Sequence, residues 1–389
     1  MLRTSLTVVI SAVLALAAGL WLGGHPQALP GPLRDAFVES DRALRAELVD
    51  TIEDNFYKPV DERKLNDASL KGIVRSLDDP FSHYLTPGEA KQFQESVSGA
   101  FEGVGMTVEE DRRGLRVLNV FDGSPAKRKG IRKGDLIVAV NGRSLAGVNS
   151  EVATGRIKGR AGTSVKLEVI TPETRKRREL RVTRRRIEVP VARSRVVERA
   201  GRKLALVQLL SFSSGAHGLL RREVQKVERR GADGILLDLR GNGGGLLTEA
   251  VLVSSIFVED GRIVSVRGRH RPEHVENAQG HAIAGKLPLV VLVDGGSASA
   301  SEIVTGALRD RRRATVVGTN TFGKGLVQEV EPLSNGGVLD LTVANYYLPG
   351  GRTITSKGIR PQVRARDNPR TGRDEALPKA LEILAAKAR

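Results

Sequence analysis

The chain has no cysteine. Disulfides and thiolate metal sites are excluded at once, while the absence alone assigns no compartment. Aromatic residues make up only 4% of the 389 positions, with a single tryptophan. Few rings are therefore free to stack on bases, and neither zinc-finger spacing nor a ribonucleoprotein-type aromatic motif occurs. These absences bear on the charge. Lys and Arg number 62 against 45 Asp and Glu, a formal +17, and such a balance raises nucleic-acid binding as a function class. The basic residues are nevertheless spread along the chain, with one dense run, RKRRELRVTRRR, at Arg175–Arg186. A generally basic surface is expected, with no nucleic-acid partner. Histidine is also scarce: His25, His83, His217, His270, His274 and His281 are all there is. His270 and His274 bracket Pro272, which breaks the helix that a metal pair at this spacing needs. No metal and no cofactor are expected.

One long apolar run is present. The amino terminus reads MLRTSLTVVISAVLALAAGLWLGG, in which Arg3 precedes about twenty uncharged residues, enough to cross a bilayer hydrocarbon core. The cation stays inside, so the rest of the chain is expected to be exported. No small-x-small cleavage site directly follows the run, and Trp21 sits where an interfacial anchor would. Residues 1–24 are therefore expected to be a membrane anchor, with a cleaved signal segment as the competitor. Residues 25–33, which include HPQALPGP, form a linker.

At roughly 100–200 residues per domain, 389 residues suggest two or three domains. Residues 34–97 show helical periodicity. Phe37, Leu44, Leu48, Ile52 and Phe56 fall at steps of seven and four, on one helix face. Breaks come at LDDP and at LTPGE, where Thr86 and Glu89 have the spacing of a helix start. Nothing in this region suggests chemistry.

From Phe101 the pattern changes to short strand-like runs, GVGMTVEE, LRVLNV, GDLIVAVNG and SVKLEVI. Residues 98–187 resemble a PDZ domain, on the strength of SPAKRKGIRKGDLIVAVNG at Ser124–Gly142. Gly103, Val104, Gly105 and Met106 match the carboxylate-binding loop of such domains. Glycines let consecutive backbone N–H groups point at one place, and such a nest holds a chain-terminal carboxylate while the peptide adds as a strand. A hairpin without a ligand is the bland alternative.

Residues 188–365 alternate strand and helix: KLALVQLL, HGLLRREVQKVERR, GILLDLR, GLLTEAVLVSSIF, LPLVVLVD, SEIVTGALRD and ATVVG. That is an α/β domain. Residues 366–389 end in a helical tail, LPKALEILAAKAR.

Within this domain, VLVDGGSASASEIVTG sets Ser297, Ser299 and Ser301 at alternate positions between an apolar strand and a helix. A serine there meets free N–H groups and the positive end of a helix dipole. Helix capping competes with nucleophilic use, and Ser301 is the better cap on sequence. The G-x-S-x-G elbow is absent. A nucleophilic serine needs a proton acceptor, and lysine can serve where burial depresses its pKa. NTFGKGLVQ offers Lys324 between Gly323 and Gly325. On spacing alone a turn lysine and a catalytic base both remain open.

The stretch GGSASASEIVTGALRDRRRATVVGTNTFGKGLVQ resembles the signature of the C-terminal processing peptidases, or tail-specific proteases, and the likeness covers nearly all the chain beyond the linker. It implies a Ser/Lys dyad of Ser299 and Lys324, with Gln328 positioning the lysine. LDLRGNGGGLL resembles the family's D-L-R-x-N-P-G-G turn, with Gly243 in place of proline. The resemblance implies an oxyanion hole from the N–H groups of Ala300 and of Gly244 or Gly245. A phosphate-binding turn is the alternative there, but it lacks the P-loop ending and the G-x-G-x-x-G spacing. A second departure is Gln362, where the family usually has Asp after the proline, and it bears on a surface contact rather than on catalysis.

The expected fold class is α/β of mixed α+β character: a helical amino-terminal region, an inserted PDZ domain and a crotonase-like α/β protease core. The implied function is a serine endopeptidase on the periplasmic side of the bacterial inner membrane, or in the periplasm if the signal is cleaved. It would cut proteins near or from their C-termini, the PDZ domain recognising the tail. Protein substrates and, through residues 1–24, the inner membrane are the expected partners. An adaptor protein and a homo-oligomer are left open. The competing class is a catalytically inactive PDZ adaptor or scaffold at the membrane.

Overall fold

The computed structural model describes residues 40–354, 356–368 and 372–388. The anchor or signal segment, the linker and Phe37 lie outside them. Among the described residues no helix is long and apolar enough to cross a membrane. The chain divides into two compact units, Met1–Thr86 and Pro87–Arg389.

The first unit holds α1 (Ser40–Asn55), α2 (Glu62–Arg75) and β1 (His83–Leu85). Asp61 caps α2 by accepting the Arg63 N–H at 3.1 Å, satisfying one of the helix's orphan donors. Tyr84 is buried, and its hydroxyl donates to Asp67 at 3.0 Å. The apolar face read from the sequence is present on α1, yet Leu44 and Leu48 are 65% and 59% exposed.

The second unit starts with α3 (Pro87–Ser98), opening at the proline of LTPGE. An antiparallel ribbon of β2 (Ala100–Gly103) and β9 (Arg185–Glu188) leads into and out of the PDZ-type segment. Between them lie β3 (Met106–Asp111), β4 (Gly114–Val120), α4 (Pro125–Arg128), β5 (Leu136–Val140), β6 (Arg143–Ser144), α5 (Ser150–Ile157), β7 (Ser164–Thr171) and β8 (Lys176–Thr183). The sheet order is β3-β4-β5-β7-β8, with β6 beside β5. Leu115, Val117, Ile137, Leu167 and Val169 pack with Ala153 and Ile157 of α5. The dense basic run is partly structural. Arg178 pairs at 2.9 Å with the buried Asp135, and the buried Arg184 donates to the carbonyls of Ile157, Arg156 and Ser164.

The remaining elements build the α/β core. They are β10 (Ala192–Arg199), β11 (Arg202–Leu209), α6 (Ala216–Arg229), β12 (Gly234–Asp238), α7 (Leu247–Ser255), β13 (Arg262–Gly268) and β14 (Arg271–Asn277). Then follow β15 (Leu289–Val293), α8 (Ala300–Asp310), β16 (Thr315–Gly318), β17 (Leu326–Pro332), β18 (Val338–Tyr347), β19 (Val363–Arg364) and α9 (Ala376–Lys387). One sheet runs β10-β11-β12-β15-β16-β19, parallel from β11 onward. Its two faces share out alternate residues, as the period of a strand requires. Leu289, Val291 and Val293 of β15 join the cluster containing α6, α7 and α8, while Val290 and Leu292 join the cluster under α9. All five are buried, as the unbroken apolar run predicts. Each contributes about 1.5–3 kcal/mol of burial free energy. A second, antiparallel set runs β17-β18-β13-β14.

The parallel sheet ends in strands that approach very closely. Gly318 has φ +130°, and a Cβ there would lie 1.9 Å from the Val293 carbonyl oxygen. Gly318→Ala must therefore push β16 away from β15. The expected result is a loss of about 3 kcal/mol or more, read as a lower urea midpoint. A parent-like midpoint would contradict the close approach.

Candidate active site

At the end of β15 the chain turns through Asp294, Gly295 and Gly296. The Asp294 carboxylate accepts the N–H groups of Gly241 and Gly296, both at 2.9 Å, and so ties this turn to the glycine-rich turn after β12. The three serines then part ways. Ser297 is fully buried and donates to the Leu239 carbonyl at 2.8 Å. Ser301 is fully buried and donates to the Asn242 carbonyl at 2.8 Å. Both hydroxyl protons are spent on holding the two turns together. Ser299 stands between them, with φ +53° and ψ −114°, a backbone region that costs a non-glycine residue about 1–3 kcal/mol. It occupies the N-cap of α8. Ser301, read from sequence as the better cap, lies inside the first turn instead. Cap preference ranks residue types, and three serines at alternate positions defeat it.

Three residues into α8, Glu302 is fully buried. Its Oε2 accepts the N–H groups of Ser299 and Lys324, each at 2.9 Å. Its Oε1 accepts the Thr321 hydroxyl at 2.5 Å and the Gly323 N–H at 2.8 Å. Four donors and the helix N-terminus offset the cost of burying this carboxylate. One oxygen thus holds the backbone nitrogens of Ser299 and Lys324 within twice 2.9 Å of each other. Sequence reasoning missed Glu302. Its position three residues after the cap is that of a capping-box partner, which was the available signal.

The lysine loop is fastened on its other side as well. Phe322 donates its N–H to the Ser297 carbonyl at 3.0 Å, and Ser356 donates to the Gly323 carbonyl at 2.9 Å. Thr321 receives the Ile359 N–H on its hydroxyl at 2.6 Å and donates its own N–H to the Ile359 carbonyl. Gly323 has φ +96°, and a Cβ there would lie 2.9 Å from the Gly358 nitrogen. Lys324 is half-buried. Gln328 sits on β17 at a register shift against β18, and its side-chain amide donates to the Thr342 hydroxyl at 3.1 Å. Tyr346 of β18 donates its N–H to the Gly325 carbonyl at 2.8 Å. Its buried phenol meets the Ser299 hydroxyl. Burial pushes that phenol's pKa up to about 12, with the Ser299 interaction working against the rise, so it stays neutral.

Opposite Ser299 lies the turn after β12. Asn242 is fully buried, and its amide donates to the Leu209 carbonyl at 2.9 Å. Its Oδ1 accepts the Gly244 N–H at 3.0 Å, which leaves that N–H engaged within the turn. The bridge between Phe212 and Gly245 uses the Gly244 carbonyl and the Leu246 N–H, so the Gly245 N–H stays out of it. Ala300 opens α8, where an N–H has no intrahelical acceptor. Gly244 has φ +102°, and a Cβ there would lie 2.9 Å from the Ser299 Cβ and 3.0 Å from the Ala300 nitrogen. Arg240 braces the turn, bonding Asp238 at 2.9 and 3.0 Å and Asp374 at 3.0 Å. Against desolvation, these carboxylates hold its ionisation above the ordinary arginine value.

Of the PDZ-type loop, Gly103, Val104 and Gly105 are buried and Met106 is half-buried. The Val104 carbonyl accepts the Ala126 N–H at 2.9 Å. Gly105 has φ +84°, and a Cβ there would lie 2.3 Å from the Ser124 Cβ. Val104, Met106 and Val108 share a hydrophobic cluster with Ala153 and Ile157, distinct from the cluster that contains Ala300. The structure therefore assembles two places: Ser299 with Lys324 and the glycine turn, and a separate strand-and-helix cluster. The His217 ring lies 2.8 Å from Glu249, which also accepts the N–H groups at the start of α6. Among the described residues, no group of three or more His, Asp or Glu is placed to hold a metal ion.

Comparison with known proteins agrees with this division. The peptidase family S41 profile matches residues 203–365, the PDZ domain profile residues 92–170, and the activating protease CtpB N-terminal domain profile residues 44–87. The chain is 36% identical over 365 residues to the carboxy-terminal processing protease CtpA of Bacillus subtilis (strain 168), across 94% of this chain and 77% of that one. It is 35% identical over 308 residues to the carboxy-terminal-processing protease of Bartonella bacilliformis, across 78% of this chain and 70% of that one. A solved structure, the photosystem II D1 C-terminal processing protease, is similar at 28% identity and a TM-score of 0.50, over 85% of this chain and 94% of that one. Fold and sequence together define a serine-type processing protease with a PDZ domain. The chain belongs to the carboxy-terminal processing proteases of peptidase family S41.

Two substitutions test the geometry. Glu302→Gln keeps the volume but turns a donor toward the N–H groups it should receive. A buried hydrogen bond to a charge contributes about 1.5–3 kcal/mol, so kcat/KM should fall by about tenfold to a hundredfold. Parent-like kinetics would remove Glu302 from the account. Gly244→Ala sets a methyl group against Ser299, and protein hydrolysis should slow by about tenfold or more. An unchanged rate would show that the two turns can part without consequence.

Proposed function

We propose that the chain is an exported serine endopeptidase in which Ser299 and Lys324 form the catalytic dyad. The observation that carries this reading is the single Glu302 oxygen that accepts both backbone N–H groups. The hydrogen bonds that occupy Ser297 and Ser301 support it further. Ser299 Oγ attacks a peptide carbonyl carbon, and the uncharged amine of Lys324 takes its proton. The oxyanion settles against the N–H groups of Ala300 and Gly245, and one such donor is typically worth about 2.7–4 kcal/mol. The C–N bond then breaks, and Lys324 returns the proton to the leaving amine. Water, losing a proton to Lys324, attacks the acyl carbon; the bond to Ser299 Oγ breaks, and Lys324 passes that proton to Oγ, restoring the serine hydroxyl and its own uncharged amine. Gln328, fixed by Thr342, orients the lysine. The neutral Tyr346 phenol limits the rotation of the serine hydroxyl.

The PDZ domain captures the C-terminal tail of a protein substrate in this reading. β3 is an outer strand of its sheet, and its apolar side chains cluster with α5, which suits addition of a peptide strand. Residues 1–24 tether the enzyme so that it acts on the periplasmic side of the inner membrane.

The test is degradation of casein by the purified chain. Ser299→Ala and Lys324→Ala should each slow it by at least about a thousandfold. A fluorophosphonate should label Ser299 alone. Labelling of Ser297 or Ser301, or undiminished cleavage by both variants, would overturn the dyad.

A further inference from the structure

The segment RPQVRAR, residues 360–366, follows the lysine loop's fastening point directly. Val363 and Ala365 turn inward against the cluster under α9. Strand alternation then sends Arg360, Gln362, Arg364 and Arg366 outward, and all four are exposed. With Thr319 and Asn320 these four line a cavity of about 810 Å³, and no Asp or Glu lines it. The nearest carboxylates in sequence, Asp367 and Asp374, are engaged by Arg240. Among the described residues the three arginines form no ion pair. Three like charges on one face without a counter-charge raise the local potential and favour an anionic ligand. Gln362 is fixed and neutral: its Oε1 accepts the Val316 N–H at 2.8 Å.

Strand geometry narrows the ligand. Val363–Arg364 is β19, the outermost strand of the six-stranded sheet, paired on one side only. An outer strand accepts an added peptide strand. Side chains two residues apart on any extended chain lie roughly 6.6 Å apart, so acidic residues at alternate positions of such a peptide match Arg364 and Arg366. The guanidinium fork suits carboxylate pairing. No aromatic ring lines the cavity, so nothing is there to stack on a nucleobase.

We infer that the face of Arg360, Arg364 and Arg366 is an exosite for an extended acidic segment of the protein substrate. The inference rests on the peptidase reading and adds to it a preference for substrates with Asp or Glu at alternate positions. The site adjoins the lysine loop: Asn320, which lines the cavity, precedes Thr321, and Ile359 is bonded to the Thr321 hydroxyl at 2.6 Å.

The probe is a C-terminally amidated peptide with Asp at alternate positions, its charge and strand pattern intact but its terminal carboxylate removed. Its binding to the full chain carrying Ser299→Ala is followed by fluorescence anisotropy. Adding Arg364→Glu and Arg366→Glu should weaken binding by about tenfold, while a Ser-for-Asp peptide is weak throughout. In the active enzyme, the same pair of substitutions should raise KM for an acidic substrate and leave cleavage of a neutral one unchanged. Undiminished binding of the acidic probe would overturn the exosite, with cleavage of the neutral substrate leaving the peptidase reading intact. Loss of all cleavage by the parent would instead strike the peptidase reading while the anisotropy still judges the site. Full displacement of the probe by an equal charge of single-stranded DNA would also overturn it, marking a generic polyanion surface.

Discussion

Glu302 carries a carboxylate with no solvent exposure at the meeting point of two loops. Four donors face it, one from the turn before α8 and three from the loop of Thr321, Gly323 and Lys324. A buried charge of this kind is unfavourable unless all its lone pairs are used. The chain therefore cannot relax one loop without leaving the carboxylate short of a partner. The same bonds that lower the cost of burial set where the serine and the lysine stand relative to each other.

The surrounding chemistry follows from how closely backbone must approach that point. Gly244 packs its Cα against Ser299, and Gly323 packs against the chain at Gly358. Neither position has room for a Cβ. Asn242 holds the first of these turns from inside, and Arg240 holds it from outside through Asp238 and Asp374. The strained backbone of Ser299 persists because neighbours on every side fix it. Charge, glycine and strain are three aspects of one compact junction at the C-terminal ends of β12, β15 and β16.

Much of this was legible in the sequence where the signal is local. The five-residue apolar run of β15, the alternation of strand and helix through the core, and the Ser-Pro and Gly-Asp turns of the PDZ domain each follow from periodicity or turn chemistry. β14 was not legible, because RPEHVEN is polar, contains proline and exposes nearly every residue; its pairing with β13 is tertiary in origin. Local pattern did not choose among the three serines, and only the family resemblance pointed to Ser299. Ser297 and Ser301 are occupied by carbonyls 58 and 59 residues away in the chain. No local pattern carries that information. The role of Glu302 depends on contacts 19 to 22 residues distant, and the engagement of the Gly244 N–H depends on which way a neighbouring amide turns. Leu44 and Leu48 mark the opposite failure: their spacing is helical, but periodicity alone does not say what, if anything, covers the face.

The most direct measurement is a crystal structure of the enzyme with Ser299 phosphonylated. The proposed dyad requires Lys324 Nζ at hydrogen-bonding distance from Ser299 Oγ, about 2.6–3.2 Å, with both backbone N–H groups still on the Glu302 carboxylate. Finding the lysine amine in solvent, with Glu302 turned away from either loop, would contradict it.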